Sequence, residues 1–192
     1  MNQPVKDFTT VVPFWKPRVT PVELEQATSE QLEAMKVTVS NTGIGNYTLV
    51  LAHDPETLKE RTPLFNGIMY SRGGLSRAET ELGAVAASVV NRCIYCAAVH
   101  SNRYNELTKD ETVMERVLAS GEDADIGPRQ NALLNFATKL SKCPSEAGKE
   151  DMTRLVEQGL GMDEVLDLVL SASLFGWANR LMHVLGDPIP QD

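Results

Sequence analysis

The stretch from Glu79 to His100, ETELGAVAASVVNRCIYCAAVH, constrains this chain more than any other. Its first half is built of small and branched residues (Gly83, Ala84, Val85, Ala86, Ala87, Val89, Val90) and is apolar on every side. That pattern belongs to a helix at the centre of a helical fold, and Ser76-Arg77-Ala78-Glu79 supplies a capping box to start it. Against that background Glu81 stands out. The second half holds Cys93 and Cys96 as a C-x-x-C pair, with His100 four residues beyond the second cysteine. Acid, dithiol and imidazole in that order point to thiol redox chemistry.

The rest of the chain reads as helices packed around this stretch. Residues 1–19 carry Pro4, Pro13 and Pro17 with little periodicity. They read as an extended arm whose Phe14 and Trp15 dock on the body or on a neighbouring subunit, or as a partly ordered tail. Residues 20–192 read as one domain. Thr20-Pro21-Val22-Glu23 has the form of a capping box and predicts a helix to about Ala34, with Leu24, Ala27, Leu32 and Met35 as its apolar face. The run Asn41 to Asn46 breaks it, and a short helix follows over 47–52. Asp54-Pro55 caps a helix to about Arg72 that buries Leu58, Leu64, Ile68 and Met69, with a break or kink near Thr62 because Pro63 follows. Gly73-Gly74 is a stop.

Beyond His100 the helix continues to Leu107, and Thr108-Lys109-Asp110-Glu111 reads as a third capping box. Gly121 ends that helix. Gly127-Pro128 opens another, with Ala132, Leu133, Phe136, Ala137 and Leu140 at helical spacing, and Cys143-Pro144 closes it. A helix over 149–158 ends at Gly159, and Asp163 caps a last one from Glu164 to Leu185. No segment alternates with period two, so the expected fold is an all-α single domain.

At 192 residues the chain is long enough to bury a core without disulfide staples. Its net charge of −8 disfavours a nucleic-acid partner. The amino-terminal residues lack the pattern of a signal peptide, and the uncharged run Leu82–Val90 falls far short of a membrane span. Three cysteines and no export signal make the cytoplasm the default compartment.

With Asn91 as N-cap, Cys93 falls in the first turn of a helix and Cys96 one turn later on the same face, close enough for a disulfide. His100 continues the stripe. The helix N-terminus lowers a thiol pKa, and the thiolate is the nucleophile towards peroxides and disulfides. A chain reversal near Asn91-Arg92 would pack two helices antiparallel and bring Glu81 level with His100, as a carboxylate–imidazole proton relay. Zinc held by Cys93, Cys96, His100 and Glu81 is the competing use of these side chains. Cys143 reads as a buried small hydrophobe, His53 as a cap or surface residue, and His183 as a packing or interface histidine. Trp177, Asn179 and Arg180 could line the pocket or a subunit contact.

Glu81 and Cys93-Ile94-Tyr95-Cys96-Ala97-Ala98-Val99-His100 resemble the alkylhydroperoxidase AhpD core of the carboxymuconolactone decarboxylase family, in its peroxidase-related branch. Leu51 to Glu56, Gly74 to Glu79, Gly159 to Glu164 and Asn179-Arg180 carry the resemblance outwards to about residues 45–185. It implies an AhpD-like helical bundle, commonly a homo-oligomer, with no bound cofactor. Carried over by position, Cys96 is the attacking thiolate, Cys93 the resolving and exchanging thiol, and Glu81 and His100 the relay. Tyr95 departs from AhpD proper, which has a further histidine there. Decarboxylase members lack the dithiol, so its presence argues against decarboxylation. The expected activity is thiol-dependent reduction of a hydroperoxide, with electrons from an external lipoyl-like or thioredoxin-like dithiol. Disulfide exchange or redox sensing, and a metal- or ligand-binding helical protein, are the alternatives.

Overall fold

Ser76 starts the central helix in the computed structural model of the chain, which describes residues 3–39 and 43–191. Its hydroxyl accepts from the Glu79 N–H while the Glu79 carboxylate accepts from the Ser76 N–H, so the free donors of the first turn are satisfied. The resulting helix, α4 (Arg77–Val90), is out of water from Thr80 to Ser88. It packs against α5 (Ile94–Thr108), α7 (Pro128–Ser141) and α9 (Met162–Leu185), which is why its sequence has no polar face. Its small residues allow close approach, since a Cβ added at Gly83 would lie 3.1 Å from Leu168 Cδ1. Helices α1 (Ser29–Ala34), α2 (Asn46–Leu51), α3 (Pro55–Tyr70), α6 (Thr112–Ser120) and α8 (Lys149–Glu157) complete the fold among the described residues. The expectation of an all-α fold is met by these helices, to which the chain adds one small two-stranded sheet.

α9 has the length and apolar composition of a membrane span. One face, with Val165, Leu168, Ala172, Phe175 and Ala178, is core, while Met162, Leu166, Leu170, Trp177 and Val184 on the other are exposed.

Several local expectations are corrected. Thr20-Pro21 starts no α-helix: the Val22 N–H donates to Leu49 O instead, only a 3-10 turn forms at Leu24–Gln26, and the helix begins after Thr28, whose box partner is Gln31. Leu24 and Leu32 are accordingly exposed, as is Leu64 at 60 %. The expected break at Asn41-Thr42 lies outside the described residues. Pro63 sits inside an unbroken α3; the carbonyl it leaves without a donor is that of Lys59, on the exposed side. Thr108 belongs to the last turn of α5; Glu111 is the N-cap of α6, and Asp110 before it accepts from the Thr112 N–H. Cys143 is exposed rather than buried.

The arm is also tied down by a feature the sequence did not announce. β1 (Phe14–Pro17) pairs antiparallel with β2 (Gly186–Ile189), Trp15 opposite Pro188. Val5 N–H donates to Pro188 O and Arg18 N–H to Leu185 O, so residues on either side of β1 follow the same edge. Trp15 is 4 % exposed and meets Tyr47 edge-on at 5.5 Å, while Phe14 stays half out.

A Cβ at Gly186 would fall 2.3 Å from the Trp15 ring and 2.8 Å from Lys16 O. Gly186→Ala should therefore cost about 1–3 kcal/mol, measured as a lower Tm, and should shift Trp15 emission to the red as the arm loosens. Unchanged melting and emission would mean that the arm is not anchored there.

Candidate active site

The site begins at the reversal between α4 and α5. Asn91 ends α4, Arg92 takes the left-handed conformation at φ 53°, and two bonds close the turn: Arg92 N–H to Val89 O at 3.0 Å and Cys93 N–H to Ser88 O at 2.8 Å. This is a Schellman motif with arginine where glycine is usual, at a cost of about 1 kcal/mol. Asn91 is thus the C-cap of α4 rather than the N-cap of α5. Cys93 takes the N-cap position, and Cys96 falls in the first turn.

The reversal brings the two helices level. His100 Nδ1–H donates to Glu81 Oε2 at 2.5 Å, leaving Nε2 as the free ring nitrogen. Glu81 is fully buried, and its other oxygen accepts from Arg77, one turn earlier on α4. Arg77 also donates to Met69 O and stacks over the Tyr70 ring at 4.0 Å. The His100 ring is held edge-on by Phe175 of α9 at 4.3 Å. Glu81 and His100 meet as the spacing predicts, and Arg77 is the partner that sequence reasoning missed.

Cys96 lies one turn before His100 and Cys93 two turns before it, both free and buried. They interact with each other and divide the charge unequally. The Cys96 thiol and the backbone N–H groups of Cys96 and Tyr95 hold Cys93 below the ordinary thiol range, although no cap bond of normal length forms. The Cys93 sulfur and burial push Cys96 well above that range. Asn179 of α9 faces both sulfurs; its side chain also donates to Ser88 Oγ and accepts from Asn91. Of the trio Trp177, Asn179 and Arg180, only Asn179 belongs to the site, since Trp177 and Arg180 point outwards.

Two further residues were not anticipated. Arg61 of α3 is 8 % exposed, sits over the Phe65 ring at 4.8 Å and the Tyr47 ring at 5.5 Å, and acts on Cys96. No carboxylate among the described residues pairs with it, and its Nε has no hydrogen-bond partner. Burial pushes the neighbouring Tyr47 hydroxyl up to about 12. Buried cations look like surface ones in sequence, so only the fold reveals Arg61 and Arg77.

A cavity of about 200 Å³ opens on Cys93 between β2, the arm and the start of α5. His183 borders it and bonds Asn91 O at 2.8 Å through Nε2, so it fastens the reversal as well as packing. His53 lies on the surface, bonded to Thr20 O. Among the described residues no three His, Cys, Asp or Glu side chains form a metal-binding group, and both Glu81 oxygens are already engaged.

Arg77→Ala should leave a buried carboxylate half-partnered and cost about 3 kcal/mol, measured by denaturant unfolding. In alkylation over a pH series, Cys93 should react with a midpoint below that of a free thiol and Cys96 above it. Removing a cation disfavours the thiolate, so Arg61→Met should move the Cys96 midpoint further upwards. A downward or absent move would show that Arg61 does not act on the thiols.

The geometry has counterparts. Residues 55–139 match the carboxymuconolactone decarboxylase family. An alkylhydroperoxidase AhpD core, an uncharacterized peroxidase-related protein from Ralstonia eutropha JMP134, is 29 % identical over 92 % of this chain and 93 % of its own, with a TM-score of 0.78. An uncharacterized peroxidase-related protein from Silicibacter sp. TM1040 is 22 % identical over 90 % and 91 %, with a TM-score of 0.76, and shares the fold. The debrominase Bmp8 shares it too, at 18 % identity over 87 % and 89 % and a TM-score of 0.70. No curated protein matches significantly. The likeness read from Glu81, Cys93, Cys96 and His100 is thus borne out: the segment that holds them is similar to the carboxymuconolactone decarboxylase family, and the chain shares its fold with an AhpD-like peroxidase-related protein.

Proposed function

We propose that this protein reduces hydroperoxides with its own dithiol. The observation that carries the proposal is a buried pair of thiols with unequal proton affinity at the start of the helix that also carries a buried imidazole–carboxylate pair. The likeness to peroxidase-related proteins supports it, while the debrominase shows that the fold serves other chemistry.

The thiolate attacks the terminal peroxide oxygen; a sulfur–oxygen bond forms, the O–O bond breaks, and the alkoxide leaves and is protonated to an alcohol. The second thiol, as thiolate, then attacks the sulfenic acid sulfur, a disulfide forms, and the hydroxyl departs as water. His100, oriented by Glu81, takes and returns the protons. An external dithiol, lipoyl-like or thioredoxin-like, restores the pair by exchange. The cytoplasm is the proposed setting, where such reductants operate.

The order of the thiols has two readings. Cys93 carries the lower proton affinity and faces the cavity, which favours Cys93 as attacker and Cys96 as resolver. The family resemblance implies the reverse, and the position of His100 four residues beyond Cys96 on α5 favours it. A second copy of this chain is the proposed cover for the exposed stripe Met162, Leu166, Leu170, Trp177 and Val184.

Stoichiometric cumene hydroperoxide followed by intact mass under denaturing alkylation tests the proposal. Two thiols should vanish in the wild type, and neither Cys93→Ser nor Cys96→Ser should form the internal disulfide. A sulfenic acid trapped in Cys96→Ser names Cys93 as attacker; one trapped in Cys93→Ser names Cys96. Glu81→Gln should slow the oxidation about 10²-fold. Thiols that stay reduced would end the peroxidase reading.

A further inference from the structure

The cavity over Cys93 has a charge that the thiol chemistry alone does not require. Trp15, Ile94, Met182 and Pro188 give it apolar walls, and its charged groups are Lys6, Arg18, Arg92 and Asp187. Arg18 and Asp187 are bonded to each other, and Arg18 also donates to the carbonyls of His183 and Val184, so that pair adds no net charge. Lys6 and Arg92 have no acidic partner among the described residues; Arg92 lies over the Phe8 ring at 5.7 Å. Two unpaired cations at this mouth run against a chain charge of −8.

Arg92 carries an independent observation. It holds the left-handed position of the Schellman turn, where glycine would serve the backbone better. Among the described residues its guanidinium makes no hydrogen bond that would support the turn. An arginine kept at a strained position on the rim of a cavity that opens on the neighbouring cysteine suits a ligand rather than the fold.

We infer that the cavity selects a small organic hydroperoxide that bears a carboxylate. Its apolar body lies along Trp15, Ile94 and Met182, and its anionic end meets Arg92 and Lys6. The volume of about 200 Å³ exceeds the roughly 150 Å³ that holds benzene, and so suits a one-ring or short-chain acid. The products are the hydroxy acid, water and the Cys93–Cys96 disulfide. The peroxide part of the inference rests on the proposed function; the preference for an anion does not.

The test compares single-turnover oxidation by cumene hydroperoxide and by its para-carboxylate in the wild type, Arg92→Gly, Lys6→Gln and the double variant. The ratio between the two substrates cancels any effect of the cations on the thiolate itself. The wild type should favour the carboxylate about tenfold, less at high salt, and the double variant should show no preference. Arg92→Gly should melt no lower than the wild type, because glycine fits the turn. A ratio near one in the wild type, or a ratio that survives in the double variant, overturns the inference. So does Arg92→Gly if it melts lower and slows both substrates equally, since Arg92 is then structural. If neither peroxide oxidises the thiols, the peroxidase reading fails by itself. The same proteins are then titrated with anionic 5,5′-dithiobis(2-nitrobenzoate) and neutral 4,4′-dithiodipyridine. An anion preference lost in Arg92→Gly keeps the anion site for another electrophile, and equal rates remove it.

Discussion

A carboxylate wholly removed from water sets the terms for this molecule. Burying an ion costs several kcal/mol unless its lone pairs find donors, so Glu81 must be matched from both sides. Arg77 serves one oxygen and, through Met69 O and the Tyr70 ring, holds the end of α3 against α4. His100 serves the other and holds α5. One side chain thus joins three helices. The joint depends on the reversal at Asn91-Arg92, because only there does α5 turn back along α4 and bring an imidazole to the depth of Glu81. The price of the reversal is a left-handed arginine.

Much of this was legible because local chemistry and tertiary packing agree. The Ser76–Glu79 box, Asp54-Pro55 and Gly127-Pro128 all start helices where the sequence places them. The apolar run of α4 is central, and the level meeting of Glu81 with His100 follows from counting residues on either side of the turn. The misreadings occur where a distant partner outbids a local signal. Thr20 to Glu23 has the letters of a capping box, yet the Val22 N–H is taken by Leu49 O. β1 and β2 are four residues each, include prolines, and pair across almost the whole chain, so no periodicity could reveal them. Asn91 resembles an N-cap, but its side chain donates back to Ala87 O and closes α4 instead. Arginines 61, 77 and 92 gave no sequence signal, since a guanidinium is unremarkable until its surroundings are known.

The logic that fixes Glu81 extends to Arg61. A buried guanidinium also needs a counter-charge, and Glu81 is not available, because Arg77 and His100 already occupy both of its oxygens. Aromatic faces from Phe65 and Tyr47 supply part of what Arg61 requires. Arg61 also acts on the Tyr47 hydroxyl and on the Cys96 sulfur, where its charge favours the thiolate that burial opposes. A thiolate at Cys96 and the cation would therefore stabilise each other. In the proposed dithiol cycle, closing a disulfide would remove that anion and leave Arg61 uncompensated in a low-dielectric site. In the proposed cycle the buried arginine would favour the reduced pair and make the disulfide easier to reduce, in keeping with the proposed exchange with an external dithiol.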